Sequence, residues 1–341
     1  MYRVKIYTLA LIIINLLANE CLANKDAVMD KLYSKVELLK PTEGFRATYK
    51  YNQFYDGNDG PFEKEYKKII DVAVLGNKIR VSEDKVDSIC YIDFDKNQLD
   101  EISKSSGRIR RKKIEGHEIY SGNVPFIVNE GPLPWLFLYT RCRIYQDDPN
   151  SVYPCVKTEE RYEFKNNNIE VNVISKCSDG VGILKHHGVI SFKKYSNKDI
   201  VDYYQHDLDL KRREENDVLN SKKQFLEWKD YGYVVLPAKV IETAFGKKVS
   251  RKGGIEKLEE NTTIKRSYEL IEINQLKDKG ALDLPTINKL TIVQDERFGK
   301  TIIYHTTDGF LADEKIIEFI NYPERLEEHN KKYLSLRLEK D

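Results

Sequence analysis

His117, His186, His187, His206, His305 and His329 are the side chains of this sequence best suited to proton transfer or metal binding. His186 and His187 are neighbours, so on a strand they face opposite sides and do not ligate one metal together. Asp207 and Asp209 follow His206 and supply carboxylates, yet the spacing fits no zinc motif. The histidines therefore read as structural. A metal-dependent or hydrolytic enzyme using His186, His187 or His206 is the competing reading. The chain has no GxSxG, HExxH, Walker loop or GxGxxG, and Lys252-Gly253-Gly254 reads as a turn. The expectation is a protein that is not an enzyme and needs neither metal nor cofactor.

Cysteine usage bears on the compartment. Cys21 closes a leader-like start, in which Arg3 and Lys5 precede the apolar run Thr8 to Leu17. Cys21-Leu22-Ala23 then offers small residues for a cut after Ala23. Residues 1–23 are read as an export signal; an uncleaved anchor is the alternative, though the run is short for a membrane span. Export places Cys90, Cys142, Cys155 and Cys177 in a periplasmic or envelope-associated setting, where an even set suits disulfides. Three pairings are open. Cys142 with Cys155 is favoured, because Asp147-Asp148-Pro149-Asn150 between them reads as a hairpin turn. A zinc site is the rival, but no CxxC pair exists.

The densest apolar stretch is GPLPWLFLYTRC, residues 131–142, in a chain that is 33% charged with a mean hydropathy of −0.57. Read as extended chain, Trp135, Phe137 and Tyr139 share one face and Leu136 and Leu138 the other. Pro132 and Pro134 bar a sheet ladder at its start, so the run begins as a loop or short helix. It is either a plug in the core or the wall of a hydrophobic cavity.

The elements that must position this wall are mostly strands. Residues 26–40 carry Val28, Leu32, Val36 and Leu39 at helical spacing, with Asp26 as a cap and Pro41 as a stop. The period then becomes two: Phe45, Ala47, Tyr49, Tyr51 and Tyr55 fall on one face. Asp56-Gly57-Asn58-Asp59-Gly60-Pro61 is a turn cluster, and strands follow near 64–75, 78–82 and 87–94. Further strands are expected near 158–165, 168–177, 187–195, 233–245, 265–274 and 299–306. The total is about ten, in a meandering antiparallel sheet. Residues 198–230 are charged and rich in helix formers, and read as a helical insertion. Residues 312–341 read as a charged C-terminal helix or tail.

Net charge is +1, so no global field argues for nucleic acid. The densest basic cluster, Arg108 to Lys113, fits a solvated strand edge blunted by charge; the alternative is contact with an anionic membrane surface.

The order of elements resembles the LolA/LolB-like family of lipoprotein carriers. The likeness is carried by the export signal, LYSKVELLKPTEGFRATYKYNQF (32–54), the paired strands of 67–102, PLPWLFLY (132–139), YVVLPAKVIE (233–242) and LPTINKLTIVQDERFG (284–299). The resemblance implies a strongly curved antiparallel sheet, an incomplete barrel, covered by short helices over an apolar cavity that holds acyl chains. It spans a domain at 24–311. It makes Trp135, Leu136, Phe137 and Leu138 part of the lid, and Tyr49, Tyr51 and Tyr55 part of the sheet face. The expected fold class is α+β, mainly β. The expected function is an exported carrier-like protein whose partners are lipid acyl chains or a lipoprotein. The alternative is a non-catalytic structural or protein-interaction module of the cell envelope.

Overall fold

The structure, a computed structural model, describes residues 25–57, 65–114, 131–146, 155–177, 182–211, 215–252, 255–284, 291–306 and 309–338. Residues 1–23, read above as an export signal, His117 and the turn residues 58–61, 147–150, 178–180 and 253–254 lie outside them.

Fifteen strands form one unclosed sheet, in the order β15-β14-β6-β5-β4-β3-β2-β1-β13-β12-β11-β10-β9-β8-β7. The described registers are antiparallel except β6 (Ile109–Lys113) with β14 (Thr291–Asp295), which is parallel. Among the described residues four short α-helices accompany them: α1 over 25–39, α2 (Pro134–Gln146), α3 (Asp313–Asn321) and α4 (Pro323–Leu338). This corrects the expectation of about ten strands under a helical cover. The strands are more numerous, and the helices too few to roof them.

The largest source of the extra strands is 198–230. It is not a helical insertion but two long strands, β10 (Lys198–Lys211) and β11 (Glu215–Asp230). Two irregularities hide their alternation. The register slips between Val201 and Tyr203, and Glu227 has φ 54° and no partner in the ladder between Leu226 and Trp228. The first is a bulge that flips the phase of every later side chain; at the second the register is unchanged, and Glu227 and Ala238 drop out of the ladder together.

The chain divides into two compact units. The first comprises Met1–Lys40, Tyr51–Lys67 and Phe126–Glu269. It holds α1, α2, β7 (Cys155–Lys165), β8 (Asn168–Cys177), β9 (Ile183–Tyr195), β10, β11, β12 (Val235–Lys252) and most of β13 (Ile255–Gln275). The β7–β8 hairpin turns through Asn166 and Asn167, with φ of 50° and 63°, conformations that asparagine tolerates well. In α1, Val28, Leu32, Val36 and Leu39 are buried as their spacing predicts. Lys35 fixes it to β10 through Asp199 at 2.8 Å, and Lys25 to β7 through Glu160 at 3.0 Å.

The second unit comprises Pro41–Lys50, Lys68–Pro125 and Leu270–Asp341. Phe45, Ala47 and Tyr49 of β1 (Phe45–Gly57) are buried while Arg46 and Lys50 are exposed, the predicted period of two. Ile109, Val293, Tyr304, Ile316 and Phe319 form its core between β6, β14, β15 (Ile302–Thr306) and α3. The charged C-terminal segment forms α3 and α4. Asn330 of α4 donates to the Ile303 carbonyl of the terminal strand β15 at 2.9 Å.

The basic cluster at 108–113 is not a strand edge. Its strand β6 lies between β5 (Gln98–Ser103) and β14. Arg111 is buried, bonded twice to Asp100 at 2.6 and 3.1 Å, and stacked on Phe310 at 3.2 Å. Arg110 pairs with Glu296. Those charges are matched inside the sheet, where an unpaired guanidinium is costly.

Candidate ligand seat on the first unit

Pro134 opens α2 at the position where a missing N–H costs nothing. The Phe137 N–H donates to Leu133 O at 3.0 Å. Trp135, Leu136, Phe137 and Leu138 follow in succession, each 5% exposed or less. Successive helical residues are turned by about 100°, so four in a row point all the way round. This turn of α2 is enclosed on every side, which explains a run without amphipathic spacing.

Beneath it lies an aromatic floor. The Phe137 ring centroid is 5.3 Å from Tyr204 of β10 and 5.4 Å from Phe225 of β11. Trp228 extends the floor 6.3 Å beyond Phe225, and its indole N–H donates to the Phe225 carbonyl at 3.0 Å. Edge-to-face and tilted contacts of this kind add to the area buried.

Charge enters the same floor through one row of the ladder: Tyr204, Lys223, Glu242 and Arg266 are successive cross-strand partners on β10 to β13. Lys223 is 1% exposed. Its ammonium lies 3.4 Å from Glu242 and 5.0 Å from the Phe137 centroid. Arg266 meets Glu242 at 3.1 Å and Gln53 at 3.3 Å. Arg141, one turn along α2, sits 4.8 Å from the Phe137 centroid and 4.6 Å from that of Tyr204. Two buried cations thus face the ring that anchors the helix.

Of the tyrosines expected on the sheet face, Tyr49 is fully buried in the second unit and Tyr51 is buried in the first. Tyr51 packs at 4.9 Å from Tyr268 and 6.5 Å from Tyr66, and its hydroxyl donates to Gln53 at 2.6 Å. Tyr55 is half-buried. Tyr51 therefore reaches the charged row through Gln53 and Arg266. The row itself, with Tyr204 and Phe225, was missed because 198–230 read as helix. The one signal that could have found it is the alternation Lys223, Phe225 with exposed Lys222 and Gln224 between and beside them.

The histidines of β9 and β10 divide between the two faces of those strands, while His305 lies in β15 and His329 in α4. His186 and His206 meet on the seat side, ring centroids 4.4 Å apart, with Tyr204 stacked 6.1 Å from His206. His187 turns to the opposite face, 3.4 Å from Asp207. There two ladder rows cross four strands: Asn172, His187, Asp207 and Asn220, then Ile174, Lys185, Asp209 and Val218. They line a half-open hollow of about 310 Å³. Gln205 donates to Asp207 at 3.0 Å. Among the described residues no group of three His, Cys, Asp or Glu could hold a metal ion.

Cys90 lies in β4 (Ser88–Asp93) as a free thiol. Burial first, then the nearby Glu101 and Glu83 carboxylates, push it up to about 12. Cys142 lies in α2 rather than on a strand, so the hairpin drawn between Cys142 and Cys155 does not form. Among the described residues no helix is long and apolar enough to cross a membrane, which says nothing of strands.

No family model and no curated protein matches the chain. Solved structures with some likeness include Pseudomonas aeruginosa OccK11 (OpdR), at TM-score 0.21 and 8% identity over 68% of this chain and 62% of that one. Pseudomonas aeruginosa OccK3 (OpdO) gives 0.17 and 7%, covering 70% and 99%. MucB in complex with MucA(peri) gives 0.13 and 8%, covering 73% and 99%. The chain thus spans less than two thirds of OccK11. Scores this low mark no shared fold, and function has to be read from the seat.

Proposed function

We propose that this chain is an exported, non-catalytic binding protein of the cell envelope that takes up an acyl chain on the aromatic floor of its first unit. The single observation carrying this reading is the enclosed turn Trp135–Leu138, laid on Tyr204 and Phe225 beside Arg141 and Lys223. An apolar segment flanked by buried cations has the chemistry of an amphiphile with an anionic head. The α2 turn fills the seat in its absence, and an acyl chain competes with it. The chain could belong to a free lipid or to a lipoprotein. Each methylene transferred from water contributes about 0.8 kcal/mol, and a dozen contribute on the order of 10 kcal/mol before ordering costs. Residues 1–23 support export, with a basic start, an apolar run and a small-residue cut site.

The test uses palmitate and a naphthalene-sulfonate dye on a Trp228→Phe background, so that Trp135 is the remaining indole. Palmitate is expected to displace the dye and shift Trp135 emission as α2 leaves the floor. Folded protein whose dye and Trp135 signals ignore saturating palmitate overturns the proposal and favours a filled-core interaction module.

A further inference from the structure

The terminal strand β7 has one sheet neighbour, β8, and its far end needs something to hold it. The register supplies a candidate. Counted back from the Asn166-Asn167 turn, through an irregularity between Lys157 and Glu159, the ladder ends with Cys155 directly opposite Cys177. Opposed antiparallel residues have Cα atoms about 4.5 or 5.5 Å apart, according to which kind of pair they form. Both values lie inside the roughly 4.4–6.8 Å window that a disulfide requires. Without the irregularity the register would slip by one and the two cysteines would not face each other. Its single extra residue, Thr158, is thus what brings them level, and its hydroxyl donates to the Ile174 carbonyl at 3.0 Å.

We propose that Cys155 and Cys177 form a cross-strand disulfide that closes the open end of the β7–β8 hairpin. Cys90 is set apart as a half-buried free thiol in another strand, and the pairing leaves Cys142, in α2, single. Each thiol gives up its proton, and the two electrons pass to a small-molecule or protein disulfide, which leaves as two thiols. In the cell this needs the oxidising compartment that the export reading supplies. The pairing itself does not depend on export and is tested separately.

Reduced, purified protein is equilibrated with glutathione disulfide, its remaining thiols are alkylated, and it is cut with trypsin. The expected product joins residues 144–157 to 177–185 and returns to two peptides on reduction. Cys142→Ser keeps that product; Cys155→Ser and Cys177→Ser each abolish it. Melting of the wild type is expected to fall by about 5 °C on reduction, and that of the Cys155→Ser/Cys177→Ser variant to stay unchanged. A Cys142–Cys155 or Cys142–Cys177 product, or alkylated Cys155 and Cys177 in the oxidised sample, overturns the pairing. The N-terminal mass of protein secreted by the same cells reports on export, so one failure is not mistaken for the other.

Discussion

The two units bury charge in different ways. In the second, each buried carboxylate holds a guanidinium by more than one hydrogen bond: Asp100 holds the buried Arg111, and the fully buried Asp295 holds the half-buried Arg297, which also reaches Asp313 at 2.9 Å. In the first, Lys223 and Arg266 converge on one carboxylate, Glu242, while Lys223 and Arg141 also face the Phe137 and Tyr204 rings. A multiply bonded pair at a buried carboxylate is a scaffold device, because removing either partner strands the other. Lys223, at 3.4 Å from a carboxylate that Arg266 also holds, is the cation that the proposed anionic ligand would re-partner. Under the proposed function, the pairs of the second unit hold the fold and the shared carboxylate of the first leaves a cation for the ligand.

The strongest way to break this comparison is Asp100→Ala. It strands Arg111 inside the sheet and is expected to cost about 3–5 kcal/mol in urea unfolding. A loss below about 1 kcal/mol would mean that the pair does not hold the scaffold. Phe137→Ala comes next, costing about 3 kcal/mol through lost packing on Tyr204 and Phe225. It should at the same time tighten palmitate binding, because the competitor is weakened; weaker binding by a folded variant would show that Phe137 belongs to the ligand's wall instead. Lys223→Met sharpens the contrast further. Replacing a buried cation by an apolar side chain is expected to change stability by no more than about 1 kcal/mol, since Glu242 keeps Arg266. Palmitate affinity should fall about tenfold, while the uncharged hexadecanol binds as before.

The smallest effect concerns the docking of α1. Hydrogen bonds from Lys194 and then Lys35 hold the Asp199 carboxyl below its ordinary range. A depressed folded value means that the stabilisation is complete above the unfolded value, about 3.9, and is lost as pH falls through the folded one. The carboxylate is partly solvated, so water screens the pair and the contribution stays under about 1 kcal/mol. Asp199→Asn should therefore match the wild type at pH 2 and trail it slightly at pH 7.

How much of this was legible in the sequence depends on where each strand keeps its phase. The first half of β1 was readable because Phe45, Ala47 and Tyr49 alternate without interruption against Arg46, Thr48 and Lys50. In β10 and β11 two things obscured the period: the bulge at 202 with the positive-φ break at Glu227, and a lysine at an inward position, Lys223. A charged residue inside a strand looks like a solvated helix face until its neighbours across the ladder are known. The same holds for Arg111, read as edge charge and found paired with Asp100. The apolar weight of 133–138 was plain from composition, and Pro132 and Pro134 pointed to a loop or short helix at its start without deciding between them. Four consecutive buried residues carry neither a period of two nor one of 3.6.

The side-chain amide of Asn330 occupies the outermost carbonyl of β15, at Ile303, and so blocks templated growth from that side. Removing α4 by ending the chain before Pro323 would bare the Ile303 carbonyl beside its exposed side chain. Such a stump offers a seed on which further chains can stack, so the price of shortening this protein at its carboxyl end would be paid in polymers rather than in unfolding.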